Sequence, residues 1–433
     1  MAAGIGFRPF FILEDIPCMD IRVTLLLSLE ALLALFLLYR DGLFQTRRAQ
    51  IVSVLLVLLA FSLRALAFDY ETLDYQNFLT RWVRFFRDNG GFAALDRSVG
   101  NYNIPYLYFL ALFSYSSIRD LYLIKLLSTL FDVLLAWSAM LLIRRFRQSP
   151  PLLIGCFFTV LFLPTVFLNS AVWAQCDSTY VALALLAITL AMEDRPIPAM
   201  LCITLSFGFK LQAVFVMPIF AVFWMQGKLN WKHLLLFPVF YILLVLPAVC
   251  MGRPFLETIT LYFQQTGSIG SGLNYNSSSI FAIFTQIQDP QPASTIAIVA
   301  AAVLVLNLLA LAWAKRDRLN DQAILGLTLL FAIGIPFLLP HMHDRYFYAA
   351  DILTVVLAFA APFFSPAALF TQFASLLGYH AYLKMQYLLP MRFGAAALIL
   401  SLALSLIYLL MGLQVPPPKN ERMRQPNRPK NRS

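Results

Sequence analysis

Long apolar runs separated by short polar connections repeat along almost the whole chain. They lie at about 23–39, 51–68, 121–143, 152–168, 178–192, 197–209, 211–226, 233–250, 294–314, 321–339, 346–363, 367–383 and 393–413. A bilayer core of roughly 30 Å is crossed by about 20 helical residues. The pattern therefore predicts an all-α polytopic membrane protein with about 11–13 transmembrane helices. The runs at 197–209 and 211–226 are short, which predicts a tilted pair or a hairpin with Lys210 at its tip.

The polar connections divide into two kinds. Arg40, Arg47 and Arg48 follow the first run; Arg144, Arg145 and Arg147 follow the third. Lys228 and Lys232 precede 233–250, with His233 at its start, and Lys315, Arg316 and Arg318 follow 294–314. The stretch after Pro418 is again rich in Lys and Arg. Counting the spans alternately puts all five groups on one face, which the positive-inside rule makes cytoplasmic. The other face receives 69–120, 169–177, 251–293 and 340–346. Within 69–120 an apolar stretch at 104–117 is too short to span and is expected to lie along or dip into the membrane. The Gly-, Ser- and Asn-rich 251–293 is expected to be a mobile loop. The organisation read from this is an N-terminal segment with an extra transmembrane helix (1–50), a main transmembrane module (51–363), C-terminal transmembrane helices (364–415) and a basic, disordered cytoplasmic tail (416–433).

Composition agrees with lipid as the solvent. Sixty per cent of residues are hydrophobic and 12% charged, against about 25% charged in a soluble domain. The net charge of +10 is read as topology and not as affinity for nucleic acid. Cys18, Cys156, Cys176, Cys202 and Cys250 have no paired spacing, so neither a disulfide framework nor a zinc site is indicated. No internal repeat is evident, which speaks against a secondary transporter.

Four polar clusters fall on the non-cytoplasmic face of this topology. FDYETLDYQNFLTRW, 68–82, offers Asp69, Glu71 and Asp74. A carboxylate held beside aromatics at a membrane surface can serve as a general base; the plainer reading is a solvated helix start. NSAVWAQCDSTY, 169–180, sets Gln175 and Asp177 at a helix entrance, where Asp177 could simply be an N-cap. Lys210 either snorkels or meets an anion, because a bare cation deep in lipid costs about 2.5–3.5 kcal/mol. HMHDRYFYAAD, 341–351, holds His341, His343, Asp344 and Arg345. Its histidines are not spaced as in HExxH, so metal ligation is not favoured, whereas a guanidinium with imidazoles suits a phosphate. A capping and topology cluster is the alternative there. Lys125 and Asp132, seven apart on one helical face, are expected to pair with polar groups of neighbouring helices.

In their order, DYQNFLTRW, NYNIPYLYFLAL, NSAVWAQCDS, FKLQA and HMHDRYFYAAD resemble the GT-C superfamily of membrane glycosyltransferases. The nearer likeness is to bacterial relatives of the second mannosyltransferase of GPI-anchor synthesis. A more distant one is to the dolichyl-phosphate-glucose-dependent glucosyltransferases. The resemblance runs from roughly residue 50 to 360 and implies a GT-C-like bundle with juxtamembrane helices in the first loop. It nominates Asp74 as the catalytic base, followed by Tyr75 and Trp82 in the family's acidic–aromatic–Trp pattern. It implies donor phosphate or lipid-sugar binding by Arg345, His343, His341, Lys210, Gln175 and Asp177, and loop or acceptor contacts from Asn276 in NYNSSSIFA. Leu73 stands where the family has Gly, Asp344 where it has Glu, and Ser279 where it has Asn.

The implied activity is inverting hexosyl transfer, mannosyl by analogy, from a polyprenyl-phosphate sugar to a lipid-linked or glycan hydroxyl. It would take place on the extracytoplasmic face of a bacterial plasma membrane. Neither metal nor cofactor is expected, since cationic side chains can serve the phosphate; the expected partners are donor, acceptor and membrane lipids, with no nucleic acid. No DxD motif or Gly-rich phosphate cradle argues for a nucleotide sugar. The competing readings are a lipid-linked oligosaccharide flippase, which would spread charge along a central cavity, and a glycan polymerase or ligase.

Overall fold

The computed structural model describes residues 20–262 and 272–416. Cys18, most of the basic tail and part of the 251–293 loop lie outside the described residues. The chain is an all-α polytopic membrane protein. A hairpin opens it, α1 (Ile21–Arg40) and α2 (Arg47–Ala67), with Asp20 and Thr46 accepting hydrogen bonds as N-caps. Leu25, Leu29 and Leu32 on α1 are 58–60% exposed, a stripe suited to lipid and not to water. Between α2 and the central helix, the first loop folds into two short helices, α3 (Thr80–Asp88) and α4 (Ile104–Phe113). The expected apolar stretch of this loop is thus α4, packed against α3 and the bundle.

The central helix, α5 (Asp120–Arg144), is followed by a broken span. α6 (Pro150–Leu161) and α7 (Pro164–Val172) meet at 45°, where Pro164 can start a helix but not continue one. α8 (Asp177–Met192) and α9 (Pro196–Phe209) form a hairpin pair, and α9 ends where Lys210 turns extended, φ −152°. α10 (Ile219–Met225), α11 (Trp231–Cys250), α12 (Pro290–Ala314), α13 (Asp321–Leu338), α14 (Tyr348–Ala360), α15 (Pro366–Leu383) and α16 (Arg392–Gln414) complete the bundle. The sheet is minimal: β1 (Asn274–Tyr275) and β2 (Met342–His343) pair in parallel.

Among the described residues seven helices are long and apolar enough to cross a membrane, and the bent α6–α7 pair would make eight. The expected count of about 11–13 included shorter apolar runs. α8, with 16 residues, is about 24 Å long and α14, with 13, about 20 Å. Neither reaches a core of about 30 Å: α8 runs only from Asp177 to the polar Glu193–Arg195, and α14 begins after the polar 341–346 turn and stops before Pro362.

The two ends of the bundle differ. At one end, Arg144 and Trp137 donate to Asp41, Arg145 pairs with Asp321 at 2.8 Å, and Lys228 donates to the Met192 carbonyl. The basic connections therefore gather at a single end, apart from the tail beyond the described residues. The 68–75, 173–177 and 341–346 segments meet at the other. Between them the two in-span charges find partners, as their spacing predicted. Lys125 donates to the carbonyls of Ala67, Phe68 and Tyr70. Asp132 pairs with Arg64 at 2.8 Å and accepts from Ser170 and Ser178, each at 2.5 Å.

Candidate functional site

The first loop sorts its three acids by their partners. Asp69 accepts from Tyr122, and Glu71 pairs with Arg119 and accepts from Gln76. Asp74 remains turned inward. A π-helical turn over Tyr75–Leu79 begins directly after it, and a second, Leu168–Val172, precedes Trp173. Such turns widen a helix locally and concentrate at functional sites. Ala174, Asn276 and His341 all have positive φ (61°, 55° and 62°). For residues with a Cβ this is uncommon and must be held in place by surrounding structure.

These segments enclose a cavity of about 390 Å³. Asp74, Trp82, Gln175, Asn276, His343 and Arg345 line it, together with Phe78, Asn101, Tyr102, Tyr275, Asp344 and Tyr382. Asp74 Oδ2 accepts from Trp173 Nε1 at 2.9 Å and from Gln175 Nε2 at 3.0 Å. The Asp74 backbone N–H donates to Tyr382 Oη at 2.9 Å. The Trp173 ring stacks on Tyr382, centroids 4.0 Å apart, and takes the Arg345 guanidinium at 5.1 Å. Both carboxylate oxygen and backbone of Asp74 are thus pinned by partners from distant parts of the chain.

Arg345 is the hub of charge. Its Nη1 is 3.8 Å from Asp74 Oδ2 and 3.8 Å from Asp344 Oδ1, and its Nε is 3.4 Å from Asp177 Oδ2. Asp177 is wholly buried and held by Lys210 Nζ at 2.5 Å and Asn169 Nδ2 at 2.8 Å. Lys210 sits where α9 ends; α9 pairs with α8 and does not fold back on α10 as the expected hairpin, and the Lys210 ammonium is engaged by Asp177, 5.9 Å from the Tyr102 ring. Asp177 does not cap α8 through its side chain; Asn169 Oδ1 instead accepts from the Asp177 N–H.

Two residues of the 341–346 turn titrate abnormally. Burial, reinforced by Arg345 and Lys210, lowers the His343 imidazole to about 4. It is a neutral hydrogen-bonding ring at pH 7 and not a further cation. Burial pushes the Asp344 carboxyl up to about 7, with Asp74 and Asp177 adding to the rise and Arg345 opposing it. His343 stacks on Tyr275, 4.7 Å between centroids, which ties the β1 segment to the turn.

Four nominated residues do not line the cavity: Lys210 and Asp177, which pair with each other beside Arg345, and Tyr75 and His341. The Tyr75 hydroxyl donates to Asp120 Oδ1 at 3.0 Å. The His341 ring contacts the Gly272 carbonyl at 2.7 Å and Ser294 at 3.5 Å, fastening the end of the 251–293 loop. Asn276 accepts from Tyr387 Oη at 2.6 Å. Trp82 packs on Tyr102, and Gly100, φ +67°, lies so close that a Cβ there would come 2.4 Å from the Trp82 ring.

Sequence reasoning passed over Trp173, Tyr382 and Tyr102, and gave Asp344 no role. Trp173 lies inside the NSAVWAQ motif, so its type and position were a usable signal. Tyr382 carries none: it sits in an apolar helix more than 300 residues from Asp74. Among the described residues no cluster of three or more His, Cys, Asp or Glu side chains is arranged to hold a metal ion.

The sequence profile of glycosyltransferase family 87, a GT-C-like family of membrane enzymes, matches residues 101–340, more than half of the chain. The matched region holds Gln175, Asp177, Lys210 and Asn276; Asp74 precedes it and the 341–346 turn follows it. No curated protein matches the sequence.

Proposed function

Because the chain belongs to glycosyltransferase family 87, we propose that it transfers a hexose, mannose by the sequence resemblance, from a polyprenyl-phosphate donor with inversion. The acceptor is a hydroxyl of a lipid-linked glycan or glycolipid. The observation that carries this reading is the Asp74–Arg345 juxtaposition: a carboxylate and a guanidinium, 3.8 Å apart, lining one cavity beside neutral hydrogen-bonding groups.

Asp74 takes the proton of the acceptor hydroxyl as its oxygen attacks the anomeric carbon. Trp173 and Gln175 fix the carboxylate so that no reorganisation is needed at that moment. Arg345 faces the phosphate that departs from the opposite side of the sugar, where its charge is worth most in a site shielded from water. His343 offers a neutral ring to the same anion. Lys210 acts through Asp177, whose charge it balances, and Asp177 in turn orients Arg345. Asn276 and Trp82 wall the sugar. The cavity lies at the end opposite the basic connections, which the positive-inside rule makes extracytoplasmic. A donor carried on a lipid phosphate suits that compartment, and Arg345 supplies the positive charge that faces its phosphate.

The test is transfer of radiolabelled mannose from a synthetic prenyl-phosphoryl mannose by the purified protein in nanodiscs, with extracted membrane glycolipids as acceptors. Asp74→Asn is expected to keep donor binding and lose turnover. Arg345→Ala is expected to weaken donor binding by about 1.5–3 kcal/mol, roughly 10- to 150-fold. Undiminished turnover in Asp74→Asn, or unchanged affinity in Arg345→Ala, would refute the roles assigned.

A further inference from the structure

Asp344 has no task in the reading above, yet it has a carboxyl oxygen to spare. The residue is 5% exposed, and its Oδ1 has no hydrogen-bond partner among the described residues. That oxygen is 3.8 Å from the same Arg345 Nη1 that faces Asp74 Oδ2, so the two carboxyl oxygens lie at most 7.6 Å apart across one cavity. Arg345 Nε, 3.4 Å from Asp177 Oδ2, makes no well-aligned hydrogen bond either. Protonated, the Asp344 carboxyl is a buried donor without a partner, and the acceptor oxygens of a phosphate in the cavity would supply one. α15 approaches the turn closely from the other side: a Cβ on Gly378 would stand 3.0 Å from the Asp344 Cβ, so only glycine leaves room there.

We propose that Asp344 is the proton donor to the departing lipid phosphate. The proposal rests on the donor chemistry given above. The anomeric C–O bond to the phosphate breaks as the C–O bond to the acceptor forms. The acceptor proton goes to Asp74, and the Asp344 proton goes to the leaving phosphate, which departs as a monoanion and not a dianion. Asp74 then releases its proton to solvent and Asp344 regains one, so the cycle closes without another reactant.

The groups facing Asp344 are compatible with this. Arg345 opposes its protonation, Asp74 and Asp177 favour it, and neutral His343 adds no charge. From α15, the Gly378 backbone lies against it without a charge and Tyr382 lines the same cavity. The outcome is a carboxyl at about 7, close to the second ionisation of a phosphate monoester, about 6. Donors matched in this way to the operating pH are the effective ones.

The alternative is that Asp344 merely balances Arg345. The two differ in the pH dependence of kcat, measured with prenyl-phosphoryl mannose in nanodiscs between pH 5.5 and 9. The wild type is expected to lose rate above about pH 7 as Asp344 ionises. Asp344→Asn is expected to drop kcat by about 100-fold or more, to lack that alkaline limb, and to keep the donor KM within about threefold. Asp344→Glu is expected to keep part of the rate and a displaced limb. A kcat within about threefold of wild type in Asp344→Asn, or a persisting limb, overturns the proposal. If Asp344→Asn does not accumulate in membranes, Asp344→Glu decides: an unmoved limb overturns it. A wild-type protein inert toward this donor overturns both the donor reading and this step, whereas a donor-active protein indifferent to Asp344 overturns this step alone.

Discussion

Asp177→Asn tests whether burial gives the charges of this site their strength. The substitution keeps the shape of the side chain and removes its charge. Asp177 is fully buried and Lys210 only 8% exposed at the side chain, and they are 2.5 Å apart. Breaking a buried pair from one side costs about 3–5 kcal/mol, because the remaining ion stays desolvated; an exposed pair is worth about 0–1 kcal/mol. These exposures put Lys210–Asp177 in the first class and Arg22–Asp20, with side chains 50% and 28% exposed, in the second. At about 2 °C per kcal/mol for a large chain, thermal unfolding in nanodiscs should shift down by roughly 6–10 °C. Lys210→Met should cost slightly less, since Arg345 remains beside Asp177 at 3.4 Å. The double variant Asp177→Asn/Lys210→Met leaves no orphaned partner within that pair and should recover at least about half of the larger loss. Its donor KM should stay raised, because Arg345 has lost its orienting carboxylate. Strictly additive losses, or single losses below about 1 kcal/mol, would refute the reasoning.

Two further outcomes follow from geometry and titration. Folding holds the Asp344 proton up to about 7, so its contribution to stability is complete below the usual carboxyl range near 4 and is lost as pH rises through 7. Asp344→Asn should therefore match wild type in thermal unfolding at pH 4 and exceed it at pH 8.5, by at most about 4 kcal/mol; equal stability at both values would contradict the burial argument. At Gly378, an added Cβ would stand 2.7 Å from the Asn276 carbonyl and 3.0 Å from the Asp344 carbonyl, both backbone atoms that cannot rotate away. Gly378→Ala should raise the donor KM and lower kcat together while leaving the protein membrane-inserted, as read by transfer assay and membrane fractionation; wild-type kinetics would show that the two loops yield freely.

Much of the molecule was legible before any coordinates. Apolar runs mark helices because the demand of lipid for apolar side chains is local and repeats at every position. Lys210 announced a break because it separates two apolar runs each too short to span, and Lys125 and Asp132 announced partners because an unpaired charge in mid-run is costly. The basic connections reported one end of the bundle, since each Lys and Arg seeks water independently of its neighbours. Helix count was harder: α8 and α14 look like spans by composition, but their length depends on where polar ends must dock. Asp74 stood out from Asp69 and Glu71 only through motif resemblance, and their partners, Tyr122 and Arg119, then explained the difference.

What the sequence alone determined was the set of apolar helices, the end at which the basic connections gather and the segments bearing the candidate acids and bases. Only the tertiary structure decided which charges answer one another. It set Asp74, Asp177 and Asp344 around Arg345, spent Lys210 on Asp177, and brought Tyr382 to the backbone of Asp74. The physical reason is that solvent preference belongs to each residue, whereas Coulomb interactions and hydrogen bonds depend on separation and burial, which segments hundreds of residues apart fix only by packing together.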